Sequence, residues 1–219
     1  MFHKTLRATF LTALIAAAFA AIPARASITF DGSGTTVYQQ TQNNPCVIGD
    51  PSCNEPAGMT YTSNSGPGDY TFFSPVYTAT SPFTTFSGNL IPTSFTIGID
   101  SNIAAGAGLQ VLQFFQVYSC TTTNVSSCTT LDSANSYSGP TTLPNNNNGN
   151  GYSDALLTGF SLTAGTKYAF RASVTNATDG MEEFFLIQTS SRPIPEPVTS
   201  GLIGTGLIGL YLLRRVRKA

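Results

Sequence analysis

Histidine is almost missing from this chain of 219 residues, whose single histidine is His3. His3 lies in a segment that has the form of an N-terminal targeting signal, so we expect the mature protein to contain none. Histidine-based catalytic triads, histidine-ligated zinc and imidazole acid–base catalysis are therefore excluded. The enzyme chemistries that remain use paired carboxylates or a Ser-Lys pair, and the sequence has no recognisable motif for either.

Basic residues are also scarce away from the two ends of the chain. Of the ten Lys and Arg residues, only Lys167, Arg171 and Arg192 lie in the middle. All eleven acidic residues lie between Asp31 and Glu196, so this region carries 3 − 11 = −8, although the whole chain carries −1. Nucleic acids and anionic lipids are bound through Lys and Arg, so the composition excludes both as partners of the middle region.

The N-terminus has the three parts of a secretory signal peptide. Two basic residues precede the apolar stretch 8–22, and residues 24–26 have the small-x-small form that signal peptidase accepts. The apolar stretch is shorter than the roughly 20 residues that a membrane anchor needs, which favours cleavage. We predict a signal peptide over residues 1–26 and a mature protein that begins at Ser27.

The C-terminus combines three features in a fixed order. The motif Pro195-Glu196-Pro197 comes first, followed by the uncharged stretch 198–213, which we predict to be a single transmembrane helix. At about 1.5 Å per residue the helix is somewhat shorter than a bilayer core of about 30 Å, and snorkelling arginines can close the gap. A basic cluster ends the chain: Arg214, Arg215, Arg217 and Lys218. By the positive-inside rule this cluster stays in the cytoplasm and the preceding chain lies outside the inner membrane.

This tail, residues 193–219, resembles a PEP-CTERM sorting signal in its Pro-Glu-Pro motif, its glycine-rich apolar segment and its terminal arginine cluster. The resemblance implies processing by an exosortase, a membrane enzyme of Gram-negative bacteria that cleaves near the motif and passes its substrate to the cell surface. It also implies a setting in which exopolysaccharide is produced. An ordinary single-pass anchor is the alternative, whereas Gram-positive sortase and GPI tails differ in motif and terminal charge.

The four cysteines are Cys46, Cys53, Cys120 and Cys128. An even number in an exported protein predicts two disulfides, for which three pairings are possible. We predict Cys46–Cys53 and Cys120–Cys128, because each pair encloses a short polar loop that follows an extended run. Zinc ligation is the alternative, but it favours C-x-x-C spacing, and both intervals here are longer.

The composition of residues 27–192 predicts an all-β domain, since Thr, Ser, Gly, Asn, Phe and Tyr dominate it. Clean alternation predicts half-buried strands at residues 94–100 and 167–174, and the longer apolar run 109–119 predicts a central strand with a bulge. Further strands are predicted at residues 27–31, 35–40, 70–74, 155–160 and 183–189. Turn signals between these runs favour one antiparallel β-sandwich with a jelly-roll arrangement.

The densest acidic cluster contains Asp179, Glu182 and Glu183. With Asp154 or Asp31 brought near by the fold, these carboxylates would be candidate calcium ligands, although the EF-hand pattern is absent. We favour a solvated charged turn that leads into a strand, and we predict no metal or other cofactor. A glycosidase pair is disfavoured, because adjacent Glu182 and Glu183 in extended chain point to opposite faces.

Five tyrosines fall in or near predicted loops, where aromatic rings can form a platform for sugars. The absence of tryptophan from the chain argues against such a platform. The tyrosines are Tyr61, Tyr70, Tyr77, Tyr137 and Tyr152.

Together these features predict an exported, surface-sorted protein without enzymatic activity, which contributes structure or adhesion to the envelope or to an exopolysaccharide matrix. Its expected partners are signal peptidase, an exosortase-type enzyme, the inner membrane before processing, and exopolysaccharide. A carbohydrate-binding module is the alternative interpretation. A calcium-stabilised hydrolase of unrecognised type is the third.

Overall fold

The structure is a computed structural model that describes residues 27–33, 38–103, 107–145 and 151–189, all within one compact unit. These residues form thirteen strands and two short 3₁₀ turns, at Val125–Ser127 and Ser133–Asn135, so the all-β prediction is confirmed for them. The strands are β1 (Thr29–Asp31), β2 (Cys46–Gly49), β3 (Thr62–Ser63), β4 (Tyr70–Phe73), β5 (Tyr77–Thr80), β6 (Leu90–Pro92), β7 (Ser94–Asp100), β8 (Val111–Cys120), β9 (Cys128–Leu131), β10 (Tyr137–Thr142), β11 (Ala155–Ser161), β12 (Lys167–Thr175) and β13 (Glu183–Gln188).

Both predicted end segments lie outside the described residues. They are the signal peptide over 1–26 and the tail over 193–219, with its sorting motif Pro195, Glu196 and Pro197 and its basic residues Arg214, Arg215, Arg217 and Lys218. Within the part of the chain that the structure describes, no helix has the length and apolar character needed to cross a membrane.

The strands form two sheets. The first has the order β1-β11-β7-β13-β2-β3, and the second has the order β10-β8-β12-β5-β6, with β4 also beside β12 and β9 beside β8. Most pairs are antiparallel, as predicted, but β2 and β3 are parallel, and so are β5 and β6. In each parallel pair the two strands are consecutive in the chain. Long loops join them, 50–61 between β2 and β3 and 81–89 between β5 and β6, because a tight hairpin turn can only join antiparallel strands.

Five phenylalanine rings join the two sheets in one core. The ring centroids of Phe95 and Phe170 lie 5.7 Å apart, and Phe115 lies 5.9 Å from Phe160 and 5.6 Å from Phe184. Phe95, Phe160 and Phe184 belong to the first sheet, whereas Phe115 and Phe170 belong to the second. The sheets therefore face each other across a core of contacting aromatic rings.

The alternating strands are more deeply buried than their sequence predicts. β7 occupies the predicted residues, but six of its seven residues are buried, so its expected solvent face is covered. The reason is visible at Gly98, where a Cβ would lie 2.4 Å from the ring of Phe185, which packs over the strand. Ala169 and Ser173 on the outward side of β12 are buried as well. Half-burial is therefore the wrong description of both strands.

The strand predicted at residues 35–40 is not found among its described residues 38–40, where Gln39 forms only an isolated bridge with Tyr152. Six short strands escaped prediction: β2, β3, β5, β6, β9 and β10. Most of them have two to four residues, too few to show a period-2 pattern. They are held in place by their neighbours in the sheets and not by local alternation.

Both predicted disulfides are present, and they account for all four cysteines. Cys46–Cys53 packs with Phe185 and Ile187 on the outer face of the first sheet. Cys120–Cys128 packs with Ala169 on the outer face of the second. Each bridge ties a loop to the side of a sheet that points away from the shared core.

Candidate functional site

A polar pocket of about 240 Å³ lies on the outer face of the first sheet, where β7 ends and β13 begins. Its lining includes three carboxylates and three amides: Asp50, Asp100, Glu183, Gln39, Gln40 and Asn102. We call it the acidic pocket. Its carboxylates come from three separate parts of the chain, which only the folded sheet brings together.

Two of the carboxylates are neighbours across the sheet. Asp100 is the last residue of β7 and pairs with Glu183, the first residue of β13. Side chains that lie directly opposite in an antiparallel pair share one face, with Cβ atoms about 4.5–5.5 Å apart. Asp100 is only 5% exposed and Glu183 only 7%. The fold thus buries two acidic groups side by side, an arrangement that is unfavourable when both are charged.

The third carboxylate comes from the loop after β2. The Ser52 N–H and hydroxyl donate hydrogen bonds to Asp50 Oδ1, at 2.6 and 2.5 Å, and the same hydroxyl lies 3.0 Å from Glu183 Oε1. Cys53 follows directly in this loop, and its disulfide to Cys46 fixes the loop to the sheet. Asp50 therefore approaches Glu183 on a segment that is covalently tied to β2.

A fourth carboxylate, Asp154, lies beside the pocket, directly before the neighbouring strand β11. It is fully buried and accepts a hydrogen bond from the Ser101 N–H at 2.9 Å. The Asp154 N–H donates to the carbonyl of Ile99 at 2.7 Å, which places Asp154 beside the end of β7. Asp154, Asp100 and Glu183 thus form an acidic row that runs from the residue before β11 to the end of β7 and the start of β13.

Burial raises the pKa of the two central carboxyls. The pKa of Asp100 rises to about 8, first because of desolvation and then because of the charges of Glu183 and Asp154. The pKa of Glu183 rises to about 7, again mainly through desolvation, with Asp50 adding to the effect. The two basic residues that the structure describes, Lys167 and Arg171, both lie in β12 of the other sheet. Protein cations therefore do not balance the pocket within the described part of the chain.

Two oxygens of the pocket's carboxylates have no hydrogen-bond partner among the described residues. They are Asp100 Oδ1 and Glu183 Oε2, and both are buried. A buried carboxylate oxygen without a partner is costly, because water has been lost and nothing replaces it. The pocket therefore offers hard oxygen donors and has unused bonding capacity.

The structure separates the residues that the sequence grouped as candidate calcium ligands. Glu182 points into the core, where it accepts a hydrogen bond from the Tyr70 hydroxyl, whereas Glu183 points outward into the acidic pocket. The prediction that the two glutamates face opposite sides is thus correct. Asp179 is exposed, and Asp31 is an exposed residue whose carboxylate accepts from the Ser33 N–H. The solvated turn is a wrong interpretation, because Glu182 and Glu183 are buried.

Sequence reasoning missed Asp50 and Asp100. Each stands at a recognisable place, Asp50 inside the predicted Cys46–Cys53 loop and Asp100 at the end of a predicted strand. Their meeting depends on the pairing of β7 with β13 and of β13 with β2, which no local pattern encodes. The sulfurs of Cys46 and Cys53 also lie near Glu183, but the disulfide leaves no thiolate to bind a metal.

The five tyrosines considered as a sugar platform do not form one unit. Tyr70 and Tyr77 are 7% and 0% exposed and belong to the core, where the Tyr77 hydroxyl donates to the Thr60 carbonyl at 2.7 Å. The other three, Tyr61, Tyr137 and Tyr152, are half-buried. The predicted strand at residues 70–74 located β4, which Tyr70 begins, whereas no strand was predicted where Tyr77 begins β5. The burial of the two side chains was not predicted for either residue.

A different aromatic group lies on the outer face of the second sheet. The guanidinium carbon of Arg171 lies 5.3 Å from the ring centre of Phe73 and 5.2 Å from that of Phe114. Tyr118 contacts Phe73 edge to face, and its hydroxyl donates to Gln116 Oε1 at 3.1 Å. We call these residues the aromatic face. Arg171 Nε has no hydrogen-bond partner among the described residues.

The two candidate sites thus lie on the outer faces of different sheets and differ in chemistry. The acidic pocket presents carboxylate and amide groups, and the aromatic face presents rings around one cation. Comparison of the chain with protein-family models, with curated proteins and with solved structures finds no match in any of the three.

Proposed function

We propose that this protein is exported and sorted to the surface of a Gram-negative bacterium, where it serves as a non-enzymatic structural or adhesive component of the envelope or exopolysaccharide matrix. The observation that carries the proposal is the pairing of all four cysteines in two disulfides. Such pairing favours an oxidising compartment outside the cytoplasm.

The two ends of the chain supply the route in this proposal. Signal peptidase removes residues 1–26, and the tail over 193–219 holds the protein in the inner membrane. An exosortase-type enzyme then cleaves near Pro195-Glu196-Pro197 and releases the protein to the surface. The prolines restrict the backbone to extended conformations, which suits a segment that an enzyme must bind just outside the membrane.

We further propose that the two sheets form a β-sandwich with jelly-roll connectivity. The strand order supports this, because from β7 onward the chain crosses between the two sheets four times. β7 lies in the first sheet, β8 to β10 in the second, β11 in the first, β12 in the second and β13 in the first. Two Greek keys wrapped across a pair of sheets produce this alternation.

Fractionation of a Glu196→Ala variant in a host that carries the sorting enzyme tests the proposed route. This change leaves the apolar stretch and the basic cluster intact, so membrane insertion should proceed while processing fails. The variant should accumulate in the inner membrane at full post-signal length, whereas wild type and a Thr199→Ala control lose the tail. If all three proteins keep the tail and fractionate together, the chain is an ordinary single-pass membrane protein.

Glycan binding is a second candidate, and the aromatic face favours it. Aromatic rings stack on the apolar faces of sugars, and Arg171 between Phe73 and Phe114 would attract a carboxylate of an acidic polysaccharide. A protein that carries −8 outside its ends repels such a polymer elsewhere on its surface, which would direct binding to this face.

A further inference from the structure

We propose that the acidic pocket is a calcium site in which Asp50, Asp100 and Glu183 supply the carboxylate ligands. This site shares only Glu183 with the set that the sequence grouped, since Asp179 is exposed and Glu182 faces the core. It is independent of how the protein is sorted.

The strongest support is the burial of acidic groups that have unused oxygens. Asp100 and Glu183 are each more than nine-tenths buried, both line the pocket, and each has one oxygen without a partner among the described residues. The other oxygen of Glu183, Oε1, lies 3.0 Å from the Ser52 hydroxyl. A divalent cation would engage the two remaining oxygens and neutralise the paired charges.

The second line of support is the absence of a competing cation in the described lining. No Lys or Arg lines the pocket, and the described basic residues stand in the other sheet. Asp154 adds a further carboxylate behind Asp100. An acidic row with no protein counter-charge is stabilised either by shared protons or by a bound metal ion, and these two states respond differently to added cation.

The donor set selects calcium among the common cations. The pocket presents carboxylates and the side-chain amides of Gln39, Gln40 and Asn102, which are hard oxygen donors that suit calcium or magnesium and not zinc or copper. Asp100 ends β7, Glu183 begins β13, and Asp50 lies in the loop that the Cys46–Cys53 disulfide ties down. The oxygen donors therefore have an irregular arrangement. Calcium accepts six to eight oxygens in flexible geometry, whereas magnesium requires a near-ideal octahedron. A volume of about 240 Å³ also leaves room for coordinated water.

A bound calcium would tie three parts of the first sheet together: the end of β7, the start of β13 and the loop that contains Asp50. Extracellular calcium modules bind with dissociation constants of about 10⁻⁴–10⁻³ M. Millimolar calcium should therefore stabilise the protein against heat, by mass action on the folded state.

The experiment uses the full chain, exported during expression so that its disulfides close, and then freed of metal with a chelator. Thermal melting is measured without cation, with 5 mM calcium and with 5 mM magnesium. Terbium luminescence gives a second readout, with Tyr61 as the expected sensitiser, because Tyr61 packs against the cluster that contains Cys46 and Phe185 on the same face of the sheet. We expect calcium to raise the melting temperature by several degrees, magnesium to raise it much less, and calcium to displace terbium.

Three substitutions locate the site. Asp100→Asn and Asp50→Asn keep side-chain volume and should weaken terbium and calcium binding at least tenfold. Asp179→Asn is the matched control at an exposed acidic residue and should bind as wild type does. Asp100→Asn removes one of two like charges that face each other, since Asp100 pairs with Glu183. Without cation at pH 8 this variant should therefore melt no lower than wild type.

The proposal is overturned if calcium leaves the melting temperature of wild type unchanged, or if Asp100→Asn and Asp50→Asn respond to calcium as wild type does. It is also overturned if Asp179→Asn loses as much affinity as they do. Should Asp100→Asn fail to fold, Asp50→Asn in its surface loop decides alone. If shared protons and not a metal ion stabilise the acidic row, calcium would have no effect on wild type or on any of the three variants.

Discussion

Tyr70 and Glu182 form a hydrogen bond between the two sheets, with the Tyr70 hydroxyl donating to Glu182 Oε2 inside the core. Tyr70 begins β4 of the second sheet, and Glu182 stands directly before β13 of the first. Both side chains are buried, and the other Glu182 oxygen has no partner among the described residues. Burial raises the pKa of Glu182 to about 7 and that of Tyr70 well above its usual range.

Removal of the Tyr70 hydroxyl should therefore destabilise the fold more than an equivalent change at the surface. Tyr70→Phe leaves Glu182 without its donor, and a buried polar group that loses its partner costs about 1–3 kcal/mol. Tyr38→Phe removes the same atom from an exposed ring and should have little effect. Urea denaturation of both variants, with Glu182→Gln in a double-mutant cycle, measures the coupling. Equal midpoints for Tyr70→Phe and Tyr38→Phe would refute a stabilising role for this bond.

Glu55 should make the stability of the metal-free protein fall as the pH rises. Desolvation raises its pKa from 4.5 to about 7, although the Cys46 N–H donates to its Oε1 at 2.8 Å. Because the folded pKa lies above the unfolded pKa, the carboxyl is protonated in both states below about pH 4.5 and imposes no cost there. The cost develops between pH 4.5 and 7 and then stays constant.

Glu55→Gln should remove this cost while keeping an acceptor for Cys46. Since Glu55 is partly solvated, we expect a gain of only about 1 kcal/mol at pH 8, or roughly 2–4 °C in melting temperature. At pH 4 the variant and wild type should melt together. The comparison is made in chelator, with Asp179→Asn as an exposed control. A gain that is as large at pH 4 as at pH 8 would assign the effect to packing and not to charge.

The two disulfides should stabilise the fold by similar amounts, but only one of them should affect metal binding. The paired cysteines are seven and eight positions apart in the sequence. For loops of this length the chain-entropy model gives a stabilisation of about 2–3 kcal/mol per disulfide. The double variants Cys46→Ala/Cys53→Ala and Cys120→Ala/Cys128→Ala should therefore show comparable losses in urea denaturation.

Only the first double variant should lose terbium binding, because only Cys46–Cys53 fixes the loop that contains Asp50. The second serves as its matched control, since Cys120–Cys128 lies on the other sheet. Equal terbium affinity in both variants would show that the disulfide does not position the pocket. Each variant is assayed below its own melting temperature, so that unfolding does not mimic loss of binding.

The aromatic face should bind acidic polysaccharide through Arg171, if the second candidate function is correct. Arg171→Gln removes the cation between Phe73 and Phe114 and should abolish salt-sensitive binding to an immobilised uronic-acid polymer. Lys167→Gln is the matched control, because it removes an equal charge from the same strand, β12, outside the aromatic face. If both variants and wild type bind equally or not at all, the aromatic face is not a glycan site.

Local patterns of the sequence were sufficient for features that depend on neighbours in the chain. Alternation in residues 94–100 located β7 to the residue, and short loops with flanking extended runs identified both disulfides. The opposite directions of Glu182 and Glu183 follow from extended backbone alone. Each of these follows from fixed covalent geometry over a few residues.

The acidic pocket and the depth of burial were decided by the tertiary structure. Asp50, Asp100 and Glu183 meet because β13 pairs with both β7 and β2, and sequence separation carries no information about such pairing. Tyr70 and Tyr77 were candidates for a surface platform, but the folded structure buries both side chains. Phe185 lies over Gly98 for the same reason, since only the assembled sheet brings the ring to the one position in β7 that lacks a Cβ to obstruct it.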